Sequence, residues 1–134
     1  LTTYFAGLRD NAPLAFGLPV QGVHIDLVRE PSQLDVALKL IKPTQMLSVG
    51  VIDGRNVWKN DFERSLRLLG QAVTVATSDR VIVAPSCSLL HSPVDLANEK
   101  KFDDELKQWL DEVDPLLEQA GLRDRAVRMR AVGA

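Results

Sequence analysis

Four short runs of apolar and β-branched residues recur along the chain, and each is followed by polar, glycine or proline positions and then by a helical pattern. The runs occupy residues 1–5, 23–28, 46–52 and 80–84. Their nearly continuous apolar character is typical of parallel strands that are buried on both faces. Their spacing resembles that of a (β/α)8 barrel, in which about 250 residues supply eight units. The pattern therefore predicts an α/β fold of parallel βα units.

Two helices are predicted between these strands. Ser32 is the expected N-cap of the first helix, and Lys42 and Pro43 should end it. Asn60 is the expected N-cap of the second helix, with Glu63 as its capping-box partner. Each helix should bury one apolar stripe. The stripes are Leu34, Ala37, Leu38 and Ile41 in the first helix and Phe62, Leu66, Leu69 and Val73 in the second.

A last helical stretch is predicted to begin at Asp103 or Asp104. Its expected buried side chains are Leu106, Trp109, Leu110 and Val113. Pro115 should kink or restart it, because proline lacks the backbone N–H and clashes with the preceding turn. The second piece should stop at Gly121. Residues 122–134, which are rich in arginine, are expected to form a solvated or frayed tail.

Composition agrees with a single globular domain. The chain has 134 residues, of which 46% are hydrophobic and 25% charged, and its formal net charge is −2. Nucleic-acid recognition usually shows as a clustered basic excess, so this near-neutral balance argues against DNA or RNA as a partner. We expect one domain with a substantial core and no nucleic acid.

The single cysteine, Cys87, cannot form an internal disulfide, which favours a reducing, cytoplasmic location. No apolar stretch approaches the roughly 20 residues that cross a bilayer, so no membrane partner is expected. The chain starts at Leu1 directly on a predicted strand, and we therefore expect it to be a fragment of a longer protein.

The loop after the third predicted strand carries candidate binding residues. Asp53, Arg55 and Asn56 combine a turn signal, a guanidinium and an amide. Loops at the carboxyl ends of barrel strands often hold an anion, and an arginine there can share its charge. The alternative is that Arg55 pairs with Asp53 or Asp26 and only ties loops together. Both interpretations stay open on the sequence alone.

His24 and Asp26 alternate with Ile25, so their side chains should lie on the same face of the second strand. If that face is the interior of a barrel, both polar groups need partners. A hydrogen bond between His24 and Asp26 is the expected solution, in preference to a catalytic role.

Cys87 and His91 lie close together after the fourth strand. They could act as nucleophile and base, or as metal ligands together with a carboxylate such as Asp26. The third interpretation, which we favour, is that Cys87 is a small buried thiol and that His91 caps a turn or is solvated.

Four segments together resemble a known family. They are residues 1–5 (LTTYF), 18–28 (LPVQGVHIDLV), 50–58 (GVIDGRNVW) and 84–96 (APSCSLLHSPVDL). In this order they are similar to the amino-terminal barrel domain of cobalamin-independent methionine synthase, also called 5-methyltetrahydropteroyltriglutamate–homocysteine methyltransferase. The resemblance runs to about residue 110. It implies that residues 1–134 are a single fragment, strands 5–8 of a (β/α)8 barrel.

The resemblance also implies an activity for the full-length protein. This family transfers a methyl group from 5-methyltetrahydrofolate polyglutamate to homocysteine, making methionine, with zinc in the carboxy-terminal barrel that activates homocysteine as a thiolate. Laid against that barrel, Asp26 and Cys87 fall near two of the zinc ligands, whereas Thr3 and Phe5 fall where the others would be. Neither Thr3 nor Phe5 binds zinc, so the fragment is expected to hold a relic of a metal site, no metal and no catalytic residue.

The implied role of these residues is that of scaffold and cleft wall. Their expected partners are the rest of the same polypeptide or a second copy of the chain, because half a barrel leaves unpaired strand edges. Two alternatives stay open: a barrel of the uroporphyrinogen decarboxylase type, and a stand-alone, self-associating structural or interaction module.

Overall fold

The computed structural model describes residues 1–90 and 100–110. The chain divides into two compact units, Leu1–Ser92 and Pro93–Ala134, and each is described by itself. The predictions for His91, Val113, Pro115, Gly121 and the tail 122–134 lie outside the described residues.

The first unit alternates helices and strands as expected. A short 3-10 helix at Arg9–Asn11 leads directly into helix α1. The helices are α1 (Ala12–Gly17), α2 (Gln33–Leu40) and α3 (Phe62–Ala76). The strands are β1 (Gly22–Asp26), β2 (Met46–Ile52) and β3 (Val81–Pro85).

The three strands form one parallel sheet in the order β1-β2-β3. His24 lies opposite Ser48, and Ser48 lies opposite Ile82. The register shifts between Gly50 and Ile52, where β2 leaves regular pairing with β3. The predicted parallel α/β architecture is confirmed for this sheet, and it is compatible with part of a βα barrel.

The strand predicted at residues 1–5 is reduced to one parallel bridge between Thr2 and His24. Thr3 N donates to His24 O at 3.2 Å, and His24 N donates to Leu1 O at 2.8 Å. At Phe5 the backbone enters the left-handed region with φ 74°. A strand cannot continue through that conformation, so the prediction of a full strand here was wrong.

The two faces of the sheet have different chemistry. One face carries apolar side chains that are almost completely buried: Val23, Ile25, Leu47, Val49 and Val51. Helix α3 lies on this side, since Val51 lines the same cavity as Ser65 and Leu68 of α3. The opposite face carries the polar side chains of β1 and β2. Strand periodicity alone accounts for this separation.

Helix α2 buries Leu34 and Ala37, as predicted. Ser32 stands at the N-cap position, but it makes no side-chain bond to the helix and its hydroxyl donates to Glu30 instead. Its backbone is already helical, with φ −65° and ψ −18°, whereas an effective N-cap usually has extended dihedrals. Ser32 therefore occupies the predicted N-cap position, but the predicted capping hydrogen bond does not form.

Helix α3 begins one residue later than predicted. Its cap is Asp61, whose Oδ1 accepts from Arg64 N at 3.0 Å. Asn60 instead donates its amide to Ser65 Oγ at 2.8 Å. Because this shift removes Glu63 from the third helical position, no capping box forms, and Glu63 pairs with Arg67 at 3.8 Å.

The buried face of α3 also differs from the predicted stripe. Small residues face the sheet, namely Ser65, Ala72 and Ala76. Leu66 is 60% exposed and Val73 is 39% exposed. Small side chains let the helix axis approach the strands closely, and Ser65 Oγ donates to Val51 O at 3.3 Å. Because α3 packs closely on the sheet, its small residues face the strands and the larger Leu66 and Val73 stay partly exposed.

In the second unit, α4 spans Asp104–Lys107. Asp103 caps it, as one of the two predicted starts, by accepting from Leu106 N at 2.7 Å. Leu110 is buried, but Leu106 is 36% and Trp109 63% exposed. The helix ends after four residues, so it never presents the long apolar stripe on which those predicted buried positions depended.

Candidate functional site

The carboxyl ends of β1, β2 and β3 meet at one edge of the sheet, because the strands are parallel. The segment 1–7, which pairs with β1 through Thr2, ends at the same edge. Ligand sites in parallel α/β folds lie at this edge, where loops vary over a fixed framework. We therefore call the segments 4–7, 27–30, 53–58 and 85–88 the rim of the sheet.

Asp26 anchors the rim from below. Its Oδ2 accepts from Phe5 N at 2.9 Å, and its Oδ1 accepts from Val28 N and Arg29 N, both at 3.0 Å. The residue is 1% exposed. Carboxylates that accept several backbone N–H bonds form strong, charge-assisted hydrogen bonds. Asp26 thus joins the amino-terminal segment to the loop that follows β1.

His24 crosses the sheet beneath the rim. Its Nδ1 lies 2.9 Å from Ser48 Oγ on β2, and its Nε2 lies 3.2 Å from Ser86 O beyond β3. Since a carbonyl oxygen only accepts, Nε2 carries the proton, and Nδ1 accepts from the serine hydroxyl. The expected hydrogen bond between His24 and Asp26 is therefore not the solution that the fold adopts. Burial lowers the pKa of His24 from its ordinary value of 6.5, and the hydrogen bond to Ser86 opposes that change.

Gly50 provides the space that the imidazole occupies. A Cβ at this position would lie 2.9 Å from His24 Cε1 and 2.8 Å from Ser86 Cα. It would also lie 2.9 Å from Ile25 O. Two of these three neighbours are backbone atoms and cannot move aside, so only glycine fits between β1 and the segment after β3.

Gly54 makes a similar close contact between loops. Its N–H donates to Ser86 Oγ at 3.2 Å. A Cβ there would lie 2.8 Å from Cys87 O and 3.0 Å from Cys87 Sγ. The loop after β2 therefore packs directly on the loop after β3.

Asp26 and Cys87, the two predicted relic metal positions, are both enclosed by the chain itself. The Cys87 thiol is 8% exposed and donates to Ser88 O at 3.6 Å. Both oxygens of Asp26 already accept backbone N–H groups. Within residues 1–90 and 100–110, no three His, Cys, Asp or Glu side chains are grouped to hold a metal ion. These residues do not fit a zinc site.

Arg55 contacts the amino-terminal segment. Its Cζ lies 4.7 Å from the centroid of the Phe5 ring, a cation–π geometry. Its own backbone N–H donates to Asp53 Oδ1 at 2.9 Å. The expected alternative, an ion pair of Arg55 with Asp53 or Asp26, is not formed by the guanidinium. The loops are joined through an aromatic ring.

Asp53 and Asn56 face a different space from Arg55. Both line a cavity of about 160 Å³ beside the amino terminus of α3, together with Trp58 and Arg64. Arg64 donates from Nη2 to Leu27 O at 3.3 Å, and both residues line this cavity. The structure thus brings all three predicted binding residues to the rim without converging them on one point.

Sequence reasoning did not foresee the contacts made by Phe5, Ser48, Gly50 and Ser86. One signal was available, since Gly50 interrupts an apolar strand, and glycine inside a strand often marks close backbone approach. No comparable signal identifies Phe5 as the partner of Arg55, because the contact depends on a turn in the amino-terminal segment.

Residues 1–77 match the family model described as the cobalamin-independent synthase, N-terminal domain. This match covers more than half of the 134 residues. The chain belongs to this family. Both glycine contacts of the site, at Gly50 and Gly54, and the Phe5–Arg55 pair lie within the part that matches the cobalamin-independent synthase domain.

Individual members of the cobalamin-independent synthase family are also similar to the chain. A 5-methyltetrahydropteroyltriglutamate–homocysteine methyltransferase of Caulobacter vibrioides is 51% identical over 82% of this chain. Proteins of the same name from Coxiella burnetii and Syntrophotalea carbinolica are each 48% identical, over 96% and 82% of this chain respectively.

The chain spans only about one seventh of the length of these curated relatives, 14% to 16%. In the part of the chain that the structure describes, no helix has the length and apolar character needed to span a bilayer.

Proposed function

We propose that this chain is a segment of a methyltransferase that moves the methyl group of 5-methyltetrahydropteroyltriglutamate to homocysteine and so makes methionine. The support is the family match together with the names of relatives that are 48% to 51% identical. The segment corresponds to strands 5–8 of the amino-terminal (β/α)8 barrel, and the cytoplasm is the compartment.

Within that enzyme the segment serves as scaffold and cleft wall. The observation that carries this role is the saturation of the polar groups below the rim. Asp26 accepts three backbone N–H groups, and both ring nitrogens of His24 are hydrogen-bonded. Groups with all their hydrogen bonds made inside the protein fix loops in place and are poorly available to a substrate.

Zinc, the expected cofactor of the full-length enzyme, is held by residues elsewhere in the polypeptide. Asp26 and Cys87 do not fit a zinc site, as described above, and two side chains are fewer than the three protein ligands of a catalytic zinc. We therefore derive no reaction step through zinc from this segment. Its partners are homocysteine and methyl-folate at the rim, and the rest of the polypeptide or a second copy along its sheet edges.

The test uses the full-length protein that contains this sequence. Purified protein is assayed for methionine formation from homocysteine and the triglutamate methyl donor, and its zinc content is measured. Cys87→Ser should retain the zinc content and most of the activity, because serine is close in size to cysteine and the thiol has no role in chemistry. Absence of methyl transfer by the wild-type protein would overturn the activity, and loss of zinc in Cys87→Ser would overturn the scaffold role.

A further inference from the structure

We propose that Arg55, held against the ring of Phe5, is a carboxylate-binding site at the rim of the sheet. The proposal rests on the methyltransferase function proposed above and names a residue that contacts one of its substrates. Three observations carry it: the position of the guanidinium over the Phe5 ring, its lack of a partner anion among the described residues, and a strained backbone that holds the ring beneath it.

The guanidinium is oriented but not neutralised. Its Cζ lies 4.7 Å from the Phe5 centroid, and the Tyr4 ring meets the Phe5 ring edge-on, with centroids 4.7 Å apart and planes at 80°. A cation–π contact does not use the N–H donors of a guanidinium in conventional hydrogen bonds to oxygen. Within residues 1–90 and 100–110, the guanidinium of Arg55 makes no ion pair with a carboxylate. The side chain is exposed, so a ligand can reach these donors.

The aromatic platform is maintained against a conformational cost. Phe5 has φ 74°, a region that bulky residues rarely enter. The buried carboxylate of Asp26 holds it there by accepting Phe5 N at 2.9 Å. Strained backbone persists only where the surroundings over-determine it, and it concentrates at functional sites. The ring of Phe5 is nevertheless 51% exposed, so burial of that ring does not account for the strain.

The opposite side of the pair is fixed as well. Asp53 Oδ1 accepts the backbone N–H of Arg55 at 2.9 Å. Asp26 and Asp53 each accept a backbone N–H from one of the two contacting segments, Phe5 N and Arg55 N respectively. Arg55 is thus a preorganised cation, which lowers the entropic cost of binding an anion.

Carboxylate is the ligand chemistry that fits. A planar guanidinium matches a carboxylate through two parallel N–H···O bonds. The relatives' names give two substrates that carry carboxylates, homocysteine and the triglutamate tail of the methyl donor. Both offer the same group, so the experiment must distinguish them.

The experiment measures KM and kcat of the full-length protein in three arms. Homocysteine is varied in the first arm, the triglutamate methyl donor in the second, and a methyl donor with a single glutamate in the third. The variants are Arg55→Gln, Arg55→Lys and Phe5→Leu. Arg67→Gln is the matched control, because Arg67 is an exposed arginine on α3 that pairs only with the neighbouring Glu63 among the described residues.

Arg55→Gln should raise one KM by about tenfold with little change in kcat, since a charge-assisted hydrogen bond to substrate is lost. A rise in KM for the triglutamate donor, with the KM of homocysteine and of the single-glutamate donor unchanged, assigns the carboxylate to the glutamate tail. A rise in the KM of homocysteine assigns it to the amino acid. Arg55→Lys should recover part of the loss. Phe5→Leu should raise the same KM about threefold, because an exposed cation–π contact is weak. Arg67→Gln should change neither KM.

Two results are decisive against the proposals, and they differ. An active wild-type protein whose KM values are unaffected by Arg55→Gln overturns the carboxylate site and leaves the proposed methyltransferase function intact. A wild-type protein that transfers no methyl group overturns the function itself. Equal rises of every KM in Arg55→Gln and Arg67→Gln would also overturn the site, because they would reflect only general charge.

Discussion

The network beneath the rim and the platform on top of it make opposite use of charged and polar residues. Below, Asp26 and His24 are 1% and 8% exposed, and their polar atoms bond to the protein itself. Above, Arg55 is exposed, and only an aromatic ring supports its guanidinium. The two layers are linked through Phe5, whose N–H binds Asp26 and whose ring carries Arg55.

The comparison separates stability from recognition. Removal of a buried polar side chain leaves its hydrogen-bond partners buried and unpaired, which lowers the stability of the fold. An exposed cation that is removed costs the fold little and costs a ligand much. Changes below the rim should therefore lower the stability of the fold, and changes on the rim should weaken binding. The following predictions test that division in order of expected effect on stability.

Asp26→Ala should have the largest effect, destabilising the chain by about 4 kcal/mol, because three backbone N–H groups lose a charged, buried acceptor. Urea unfolding followed by circular dichroism measures the free energy. Asp35→Ala, which removes an exposed carboxylate from α2, is the control and should stay within about 0.5 kcal/mol. A loss below about 1 kcal/mol in Asp26→Ala would contradict the anchoring role.

Gly50→Ala should destabilise by about 2 to 3 kcal/mol, because its Cβ would lie 2.8 Å from Ser86 Cα and 2.9 Å from Ile25 O. Gly70→Ala is the opposite case. Beyond the backbone of its own helix and its chain neighbours, no atom lies within 4 Å of a Cβ at Gly70, which is inside α3, so this variant should gain about 0.5 to 1 kcal/mol. Thermal unfolding of the two variants side by side measures the contrast, and equal shifts would refute it.

The pH dependence of stability should come in part from His24. Its pKa is lowered in the folded state, so the unfolded chain binds the proton more readily. Stability is therefore present above the unfolded pKa near 6.5 and is lost as the pH falls below it, by at most about 1.4 kcal/mol for each unit of pKa difference. Unfolding free energies between pH 5 and pH 8 should show this loss in the wild type and a smaller one in His24→Gln. Parallel curves would exclude His24 as its source.

Arg55→Gln should have the smallest effect on stability, about 0.5 to 1 kcal/mol, which is the range of an exposed cation–π contact. The same variant is expected to show the tenfold KM effect described above. Melting temperature measured beside KM gives both quantities for one protein preparation. A loss of stability comparable to that of Asp26→Ala would place Arg55 in the scaffold and remove the distinction between the layers.

Much of the fold was predictable because its signals are local. The run at residues 46–52 predicts β2 with both bounds correct, and α2 has its predicted buried stripe at Leu34 and Ala37. The errors arose where two neighbouring residues were both suitable for the same position. Asp61 and Asn60 are both good N-caps, and only the hydrogen bond from Arg64 N to Asp61 Oδ1 shows which one caps α3. Leu66 is more apolar than Ser65, yet close packing on the sheet buries Ser65.

The sequence predicted where the candidate site lies, but it did not predict which residues contact one another there. Asp26, Arg55 and Cys87 were all expected at the carboxyl ends of strands, and they lie there, Asp26 at the end of β1 and the other two in the rim. Their partners were not foreseen, because the partner of Arg55 is Phe5 and that of His24 is Ser86, which is 62 residues away. A binding interpretation of Arg55 depends on such partners.

The amino-acid sequence by itself determined the parallel strands, most of the helices and the edge at which chemistry gathers, because hydrophobic periodicity and chain direction act over a few neighbouring residues. Only the tertiary structure decided which polar atoms form hydrogen bonds within the protein and which remain available to a ligand. Hydrogen bonds and aromatic contacts depend on distances of a few ångströms between residues that are far apart in the chain, and the packing of strands and loops sets those distances. Asp26 and Arg55 are both charged residues near the carboxyl ends of the strands, and this packing encloses one and exposes the other.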